Sequence, residues 1–361
     1  MPDKIQVTKT YLPDKQEFLG YVDKIWNNGW LTNNGSLSIE LEDRLKSFLG
    51  VPNIKFVSSG TTALQLAINA FGLEGEVITT PYSYIATTSA ILWQNCNPVF
   101  CDIGENSFNI DPEQIEAKIT SRTSAIIATH VYGLPCEVEK IEKIAMKYNL
   151  KVIYDAAHCF AVEVDGNSIF NFGDASVTSF HATKIFQTVE GGAVISNSKK
   201  VDEIISLNRA FGHIGDKHYR LGINGKNSEF HAAMGLCNLK NIGSRIEKRK
   251  RLFHHYIKGM ENISVCTLQI PNHIKYNYAY FPIIFSSEKE MLKVKKGLET
   301  DSIFPRRYFY PSINTIDYLE GNSCPRSEEM AKKVLCLPLY EDLSIASIDK
   351  IARIIKRLLD G

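Results

Sequence analysis

From residue 54 onward the chain alternates short β-branched runs with longer helical stretches: IKFVSS then TTALQLAINAFG, GEVITTP then SYIATTSAILWQN, SAIIATHV then CEVEKIEKIAMKYN, and on to KVIYDAA. Short apolar runs bounded by turn signals read as strands, and the stretches between them carry helical periodicity. Strand and helix in repeated alternation, continuing to about residue 200, predict an α/β fold with a mostly parallel sheet covered on both faces. In such sheets ligands gather beyond the carboxyl ends of the strands, which makes the residues there the first candidates for chemistry.

After about residue 240 the pattern changes. A basic helix, IGSRIEKRKRLFHHYIKGM, leads to strand-like YAYFPIIFS, a charged helix EKEMLKVKKGLE and a terminal SIDKIARIIKRLLDG. The expected organisation is a large α/β domain over residues 1–240, with an N-terminal arm, and a smaller α+β domain over 241–361. A length of 361 residues, 44% of them hydrophobic, supports two such cores. The KRKR run is expected to be a solvated helix face.

Lys and Arg number 41 against 40 Asp and Glu, a formal net charge of +1, so the balance favours neither nucleic acid nor an anionic membrane as partner. The opening MPDKIQVTKTYLPDKQEF lacks the order of a secretory signal and no apolar run approaches the length of a membrane span, so a soluble cytoplasmic protein is expected. The eight cysteines form no CxxC pair, which fits reduced core thiols and gives no reason to expect a metal.

Three stretches could carry chemistry. In VSSGTTALQLA a β-type run ends at Ser58-Ser59-Gly60-Thr61-Thr62 and a helix follows, a form that offers backbone N–H groups and hydroxyls to a phosphate or simply caps the helix. In KVIYDAAH, Asp155 leaves a buried strand at its carboxyl end, where it either caps a turn or holds a protonated ring nitrogen. In SFHATKIFQTVEGGAVIS, Lys184 lies among apolar residues, either as a snorkelling strand-end lysine or as a desolvated amine able to attack an aldehyde. Phosphate cradle, aspartate and lysine on one sheet are the three groups that pyridoxal 5′-phosphate requires, for its phosphate, pyridinium nitrogen and aldehyde. Glycine at 191 and 192 is expected where the chain turns tightly into the next strand.

The chain resembles the DegT/StrS family of sugar-nucleotide aminotransferases over nearly its full length, through GWLTNNGSLSIELE, SSGTTALQLA, VITTPYSYIATTSAI, DAAH, SFHATK, EGGA and LPLYEDLS. The resemblance implies the aspartate aminotransferase type of fold (fold type I), pyridoxal 5′-phosphate as cofactor, and a homodimer whose active sites are shared between subunits. It makes Lys184 the Schiff-base residue and proton shuttle, Asp155 the partner of the pyridinium nitrogen, and His158 a neighbour of the cofactor ring or its phenolic oxygen. Gly60, Thr61, Thr62 and Ser179 would bind the phosphate. Tyr84 stands where the family places a stacking aromatic, with a core aromatic as the equal alternative. Asn227, in GINGKNSEF, matches an asparagine that reaches the other subunit's phosphate, and it could also cap the following helix.

His158 and the SFHA before Lys184 resemble members that aminate carbon 4 of a 4-keto-6-deoxy sugar. The expected substrates are dTDP-4-keto-6-deoxy-D-glucose and L-glutamate, and the product would serve surface polysaccharides such as O-antigen. A carbon-3 or UDP-sugar aminotransferase is the alternative, separable by product regiochemistry and nucleotide competition. A non-catalytic relative that binds the cofactor would lack at least one of the three groups. Arg306, Arg307, Tyr308 and Tyr310, in IFPRRYFYPSI, could meet a diphosphate or sugar hydroxyls, or be surface packing.

Overall fold

The structure is a computed structural model that describes residues 4–319 and 321–360. Seven strands form the main sheet: β1 (Ile54–Val57), β2 (Glu76–Thr79), β3 (Asn97–Phe100), β4 (Thr123–Thr129), β5 (Lys151–Asp155), β6 (Ala175–Ser179) and β7 (Gly192–Ile195), in the order β1-β7-β6-β5-β4-β2-β3. All neighbouring pairs are parallel except those made by β7, which runs antiparallel to both β1 and β6. The parallel sheet read from the β-branched runs is therefore present, with one reversed strand.

Alternate residues of the central strands face opposite layers, as the two-residue period of a strand requires. Ile126, Ala128, Val152 and Tyr154 pack with helices α1 (Lys15–Asn28) and α2 (Ser36–Leu49), whereas Ala125, Ile127 and Ile153 pack with α3 (Gly60–Ala70) and α4 (Ala86–Trp93). Both faces are buried.

A second core gathers the C-terminal elements. Antiparallel strands β8 (Cys266–Thr267), β9 (Phe281–Ile284) and β10 (Val334–Leu337) pack with residues from three helices: Phe253 and Tyr256, Met291 and Val294, and Ile348 and Ile351. Val7, Tyr82, Phe108 and Tyr132 of the N-terminal half belong to the same cluster, and Ile5–Gln6 pairs in parallel with Ile303–Phe304. Asp102, just beyond β3, caps the helix Pro325–Lys333 by accepting from the N–H groups of Arg326 and Ser327. Those contacts fasten the C-terminal elements to the sheet edge.

One expectation about the basic helix is corrected in part. Lys248, Lys250 and Arg251 are exposed, but Arg249 is buried, donates to the Leu339 carbonyl at 2.9 Å and pairs with Glu341, which also holds Arg245. Arg245, Arg249 and Phe253 recur every four residues, so one helix face carries both arginines inward. Seven of the eight cysteines are buried free thiols and Cys266 is exposed.

Glu229, the first residue of α5 (Glu229–Lys240), is fully buried and spans to the start of α2. Its carboxylate accepts from the N–H groups of Leu37 and Ser38, at 2.8 and 3.0 Å, and from Ser38 Oγ at 2.6 Å. It thus supplies the cap that Gly35, at the N-cap position of α2, cannot. Glu229→Ala is expected to lower the unfolding free energy by about 3 kcal/mol, read as an earlier midpoint in guanidinium denaturation. An unchanged midpoint would show that the cap contributes nothing.

Candidate active site

A cavity of about 370 Å³ opens at the carboxyl ends of β5 and β6, against the N-terminus of α3. Asp155, the last residue of β5, is buried at its floor. Its Oδ2 accepts from Thr87 Oγ1 at 2.5 Å and its Oδ1 from the Ala157 N–H at 3.1 Å. Both donors are neutral, and burial pushes the carboxyl pKa up against them and against the pull of Lys184. Among the described residues this carboxylate is in no ion pair.

Lys184 enters the same cavity. The residue is half-buried, and its Nζ donates to Tyr280 Oη at 3.3 Å. Burial lowers its pKa, an effect that the Asp155 carboxylate opposes. The backbone around it is tight: Phe180 N–H donates to Gly191 O, and a Cβ on Gly192 would lie 2.6 Å from the Gly60 amide nitrogen. Glycine at 192 is what lets the β7 backbone approach the start of α3, as the turn into that strand led one to expect.

His158 is buried beside Lys184, its ring 4.6 Å from that of Tyr280 and 5.8 Å from that of Phe309. Its Nδ1 accepts from the Tyr132 N–H at 3.1 Å, which fixes the proton of the neutral ring on Nε2. Desolvation drives its pKa well below the ordinary value, and the nearby Lys184 adds to that. This histidine is a neutral donor.

Ser59, Gly60, Thr61 and Ser179 line the end of the cavity where α3 begins. The first amides of an α-helix have no intrahelical acceptor and stand at its positive end, so this wall suits an anion. A Cβ on Gly60 would lie 3.0 Å from Ser179 Cβ, closing the cradle. Thr62 does not line the cavity: its hydroxyl meets Ser58 Oγ and Ser59 Oγ, and its N–H donates to Ser59 Oγ at 3.0 Å. One residue along a helix turns about 100°, which points Thr61 and Thr62 in different directions.

Tyr84 lines the cavity mouth and is 62% exposed, which rules out a core aromatic. Asn227 is not among the residues around the cavity of its own chain. Its Nδ2 donates to Glu190 O at 3.0 Å and its Oδ1 accepts from the Ser228 N–H, while the helix cap is Ser228. Among the described residues no group of three His, Cys, Asp or Glu could hold a metal, and no helix is long and apolar enough to cross a membrane.

Sequence reading missed two side chains here. Thr87 follows Tyr84 by three residues, a spacing that could have placed it beside the site. Tyr280 lies in the aromatic run NYAYFPII, which reads as core throughout and carries no such signal. Arg306, Tyr308 and Phe309 also line the cavity, and a groove of about 760 Å³ continues from them past Tyr310 and Tyr318. Arg307 pairs with Glu288, whereas Arg306 is in no ion pair among the described residues.

The arrangement can bind an anion at one end and a cationic ring atom at the floor, and present an amine between them whose burial lowers its pKa. Residues 13–356 match the DegT/DnrJ/EryC1/StrS aminotransferase family. The chain is 43% identical to a dTDP-4-amino-4,6-dideoxy-D-glucose transaminase of Shigella dysenteriae, covering 99% of this chain and all of that one. It is 42% identical to an Escherichia coli protein of the same name, over 98% of this chain and 99% of the other. Its fold is similar to that of DesI, crystallised in the presence of its TDP-sugar product, with a TM-score of 0.95, 30% identity and coverage of 99% and 93%. Helicobacter pylori PseC, an aminotransferase of pseudaminic acid biosynthesis, gives 0.92 at 27% identity, with coverage of 99% and 100%.

The lowered pKa of Lys184 has a direct consequence: its amine becomes nucleophilic at a lower pH than an ordinary lysine's. In brief reductive methylation of the cofactor-free protein near pH 8, peptide mass spectrometry is expected to find Lys184 modified before the solvent-exposed lysines. Slower modification than those lysines at every pH would mean that burial blocks the amine instead of activating it.

Proposed function

The chain belongs to the DegT/DnrJ/EryC1/StrS aminotransferase family, and on that premise we propose that it uses pyridoxal 5′-phosphate to move an amino group from L-glutamate to carbon 4 of dTDP-4-keto-6-deoxy-D-glucose. The products are 2-oxoglutarate and dTDP-4-amino-4,6-dideoxy-D-glucose, made in the cytoplasm for surface polysaccharide such as O-antigen. The observation that carries the reading is the convergence of Asp155, Lys184 and the α3 N-terminus on one cavity.

The residues fit the cofactor. Asp155 is a buried carboxylate with only neutral hydrogen-bond donors, and a protonated pyridine nitrogen supplies the cation it lacks. Gly60, Thr61 and Ser179 would hold the phosphate, Tyr84 would pack on the ring, and His158 would offer Nε2–H to the phenolic oxygen. When bound, pyridoxal phosphate supplies an aldehyde that accepts the amino group and a ring that takes up the electrons of a broken C–H bond.

Lys184 does the proton work. As a neutral amine its Nζ would take up the α-proton of glutamate and release it again, and in the second half of the reaction it would carry a proton in the reverse sense. The hydrogen bond from Thr87 favours the ionised, oriented form of Asp155, which would in turn hold a ring nitrogen protonated. Arg306 and the groove beside it receive the diphosphate of the sugar nucleotide.

Each site is completed by a second copy of the chain. Exposed Trp26, Trp30 and Leu31 surround the segment that carries Asn227: Trp26 meets Phe230 edge-on at 6.3 Å, and Leu31 O accepts from the Glu229 N–H. An apolar patch of this kind marks an interface. Burial of that patch against a second copy would support an Asn227 that reaches the phosphate held by the partner.

Three outcomes test the reading. Purified protein with pyridoxal phosphate, L-glutamate and dTDP-4-keto-6-deoxy-D-glucose should give, by NMR, an equatorial amine on carbon 4, and an amine on carbon 3 or an unchanged ketone would overturn the acceptor. Lys184→Ala should lose turnover by a factor of about 10³ or more, and Asp155→Asn by about 10² or more. Lys184→Ala mixed one to one with Asn227→Leu should recover about a quarter of wild-type activity, since half the dimers then hold one complete site. No recovery would place Asn227 outside the partner's site.

A further inference from the structure

Tyr280 stands immediately before β9, on the C-terminal side of the cavity, and its hydroxyl accepts from Lys184 Nζ at 3.3 Å. Among the described residues this is the hydrogen bond that Nζ makes. The phenol is held in place on several sides. Asn277, three residues earlier, donates to the carbonyls of His158 and Phe160 at 2.8 and 2.9 Å and accepts from the Ala279 N–H. The Tyr280 ring itself packs 4.6 Å from His158 and 5.8 Å from Tyr132.

Behind the pair lies a void of about 10 Å³ bordered by Ser179, Lys184, Arg249 and Tyr280, room for a single water at most. Bulk water is therefore not available on that side to solvate the amine. A lysine that alternates between neutral amine and ammonium in such a place needs an acceptor that the protein itself provides.

We propose that Tyr280 is a further catalytic residue: its phenol oxygen accepts an N–H of Lys184, which turns the lone pair of the neutral amine toward the cavity and stabilises the ammonium after the proton is taken up. The step is a single proton transfer from substrate carbon to Nζ, and Tyr280 keeps its own proton throughout. The proposal rests on the reading in which Lys184 carries that proton. The other groups facing Lys184 are Asp155, His158, Cys159, Tyr84 and Tyr308, and Arg249 faces Tyr280. None of these is moved by deleting one hydroxyl.

The test is Tyr280→Phe, which keeps the ring packing, with Tyr278→Phe as a control on the same segment. In the full-length protein freed of cofactor, the pH profile of Lys184 methylation should shift down by about one unit in Tyr280→Phe, since the ammonium loses its acceptor. With cofactor and substrates, kcat should fall about tenfold while KM for both substrates stays within about twofold. Tyr278→Phe should match wild type in both measurements. If Tyr280→Phe does not fold, 3-fluorotyrosine at position 280, a poorer acceptor, should give a smaller shift in the same direction. An unchanged or raised Lys184 profile overturns the proposal whatever the turnover. Retained turnover in Lys184→Ala would instead overturn the functional reading, so the two failures are told apart.

Discussion

A carboxylate kept out of water at the end of a buried strand sets the terms for the rest of the site. An ionised Asp155 would be without its hydration, and Thr87 Oγ1 and one backbone N–H replace only part of it. An apolar environment would neutralise such a group unless a cation came to it. The amine of Lys184 cannot fill that role outright, because the same burial lowers its own tendency to be charged. Two groups with opposed electrostatic needs therefore share one cavity. A protonated aromatic nitrogen beside Asp155 would leave the amine free to be neutral.

The sheet explains why these groups meet. Strands β5 and β6 are central and parallel, so Asp155 and Ser179 leave the sheet at the same edge. Strand β7 runs the other way between β6 and β1, which brings Gly192 against the start of α3 and the helix N-terminus against Ser179. Any Cβ at residue 192 would push the anion cradle away from the carboxylate. The reversed strand is thus part of the site's construction.

The remaining wall comes from far along the chain. Tyr82 Oη donates to the Tyr308 carbonyl at 3.1 Å, and Tyr132 Oη donates to the same oxygen, fastening the segment that carries Arg306 to loops at the sheet edge. Tyr132 also fixes the His158 tautomer through its backbone N–H, and Asn277 ties the approach to Tyr280 onto His158 and Phe160. The C-terminal elements are therefore joined to the chemistry by hydrogen bonds to backbone atoms, which leave no pattern in the order of residues. That is why neither Tyr280 nor Phe309 was singled out by its sequence, and why the buried Arg249 passed as part of a solvated run.

The chain's own order of residues determined the alternation of strand and helix, the glycine turns, and the three groups that meet at Asp155, Lys184 and the start of α3. These are local matters: apolar period, a residue placed just past a strand, a glycine where the backbone comes close. Only the tertiary structure decided which neighbours those groups have. It bonded Thr62 to Ser58 while Thr61 stayed at the cavity, gave Asp155 to Thr87, set Tyr280 on Lys184, and left Asn227 outside the lining of its own chain's cavity. Hydrogen bonds such as Thr87 to Asp155 and Lys184 to Tyr280, between residues 68 and 96 positions apart, depend on how layers pack, and packing is a property of the whole fold.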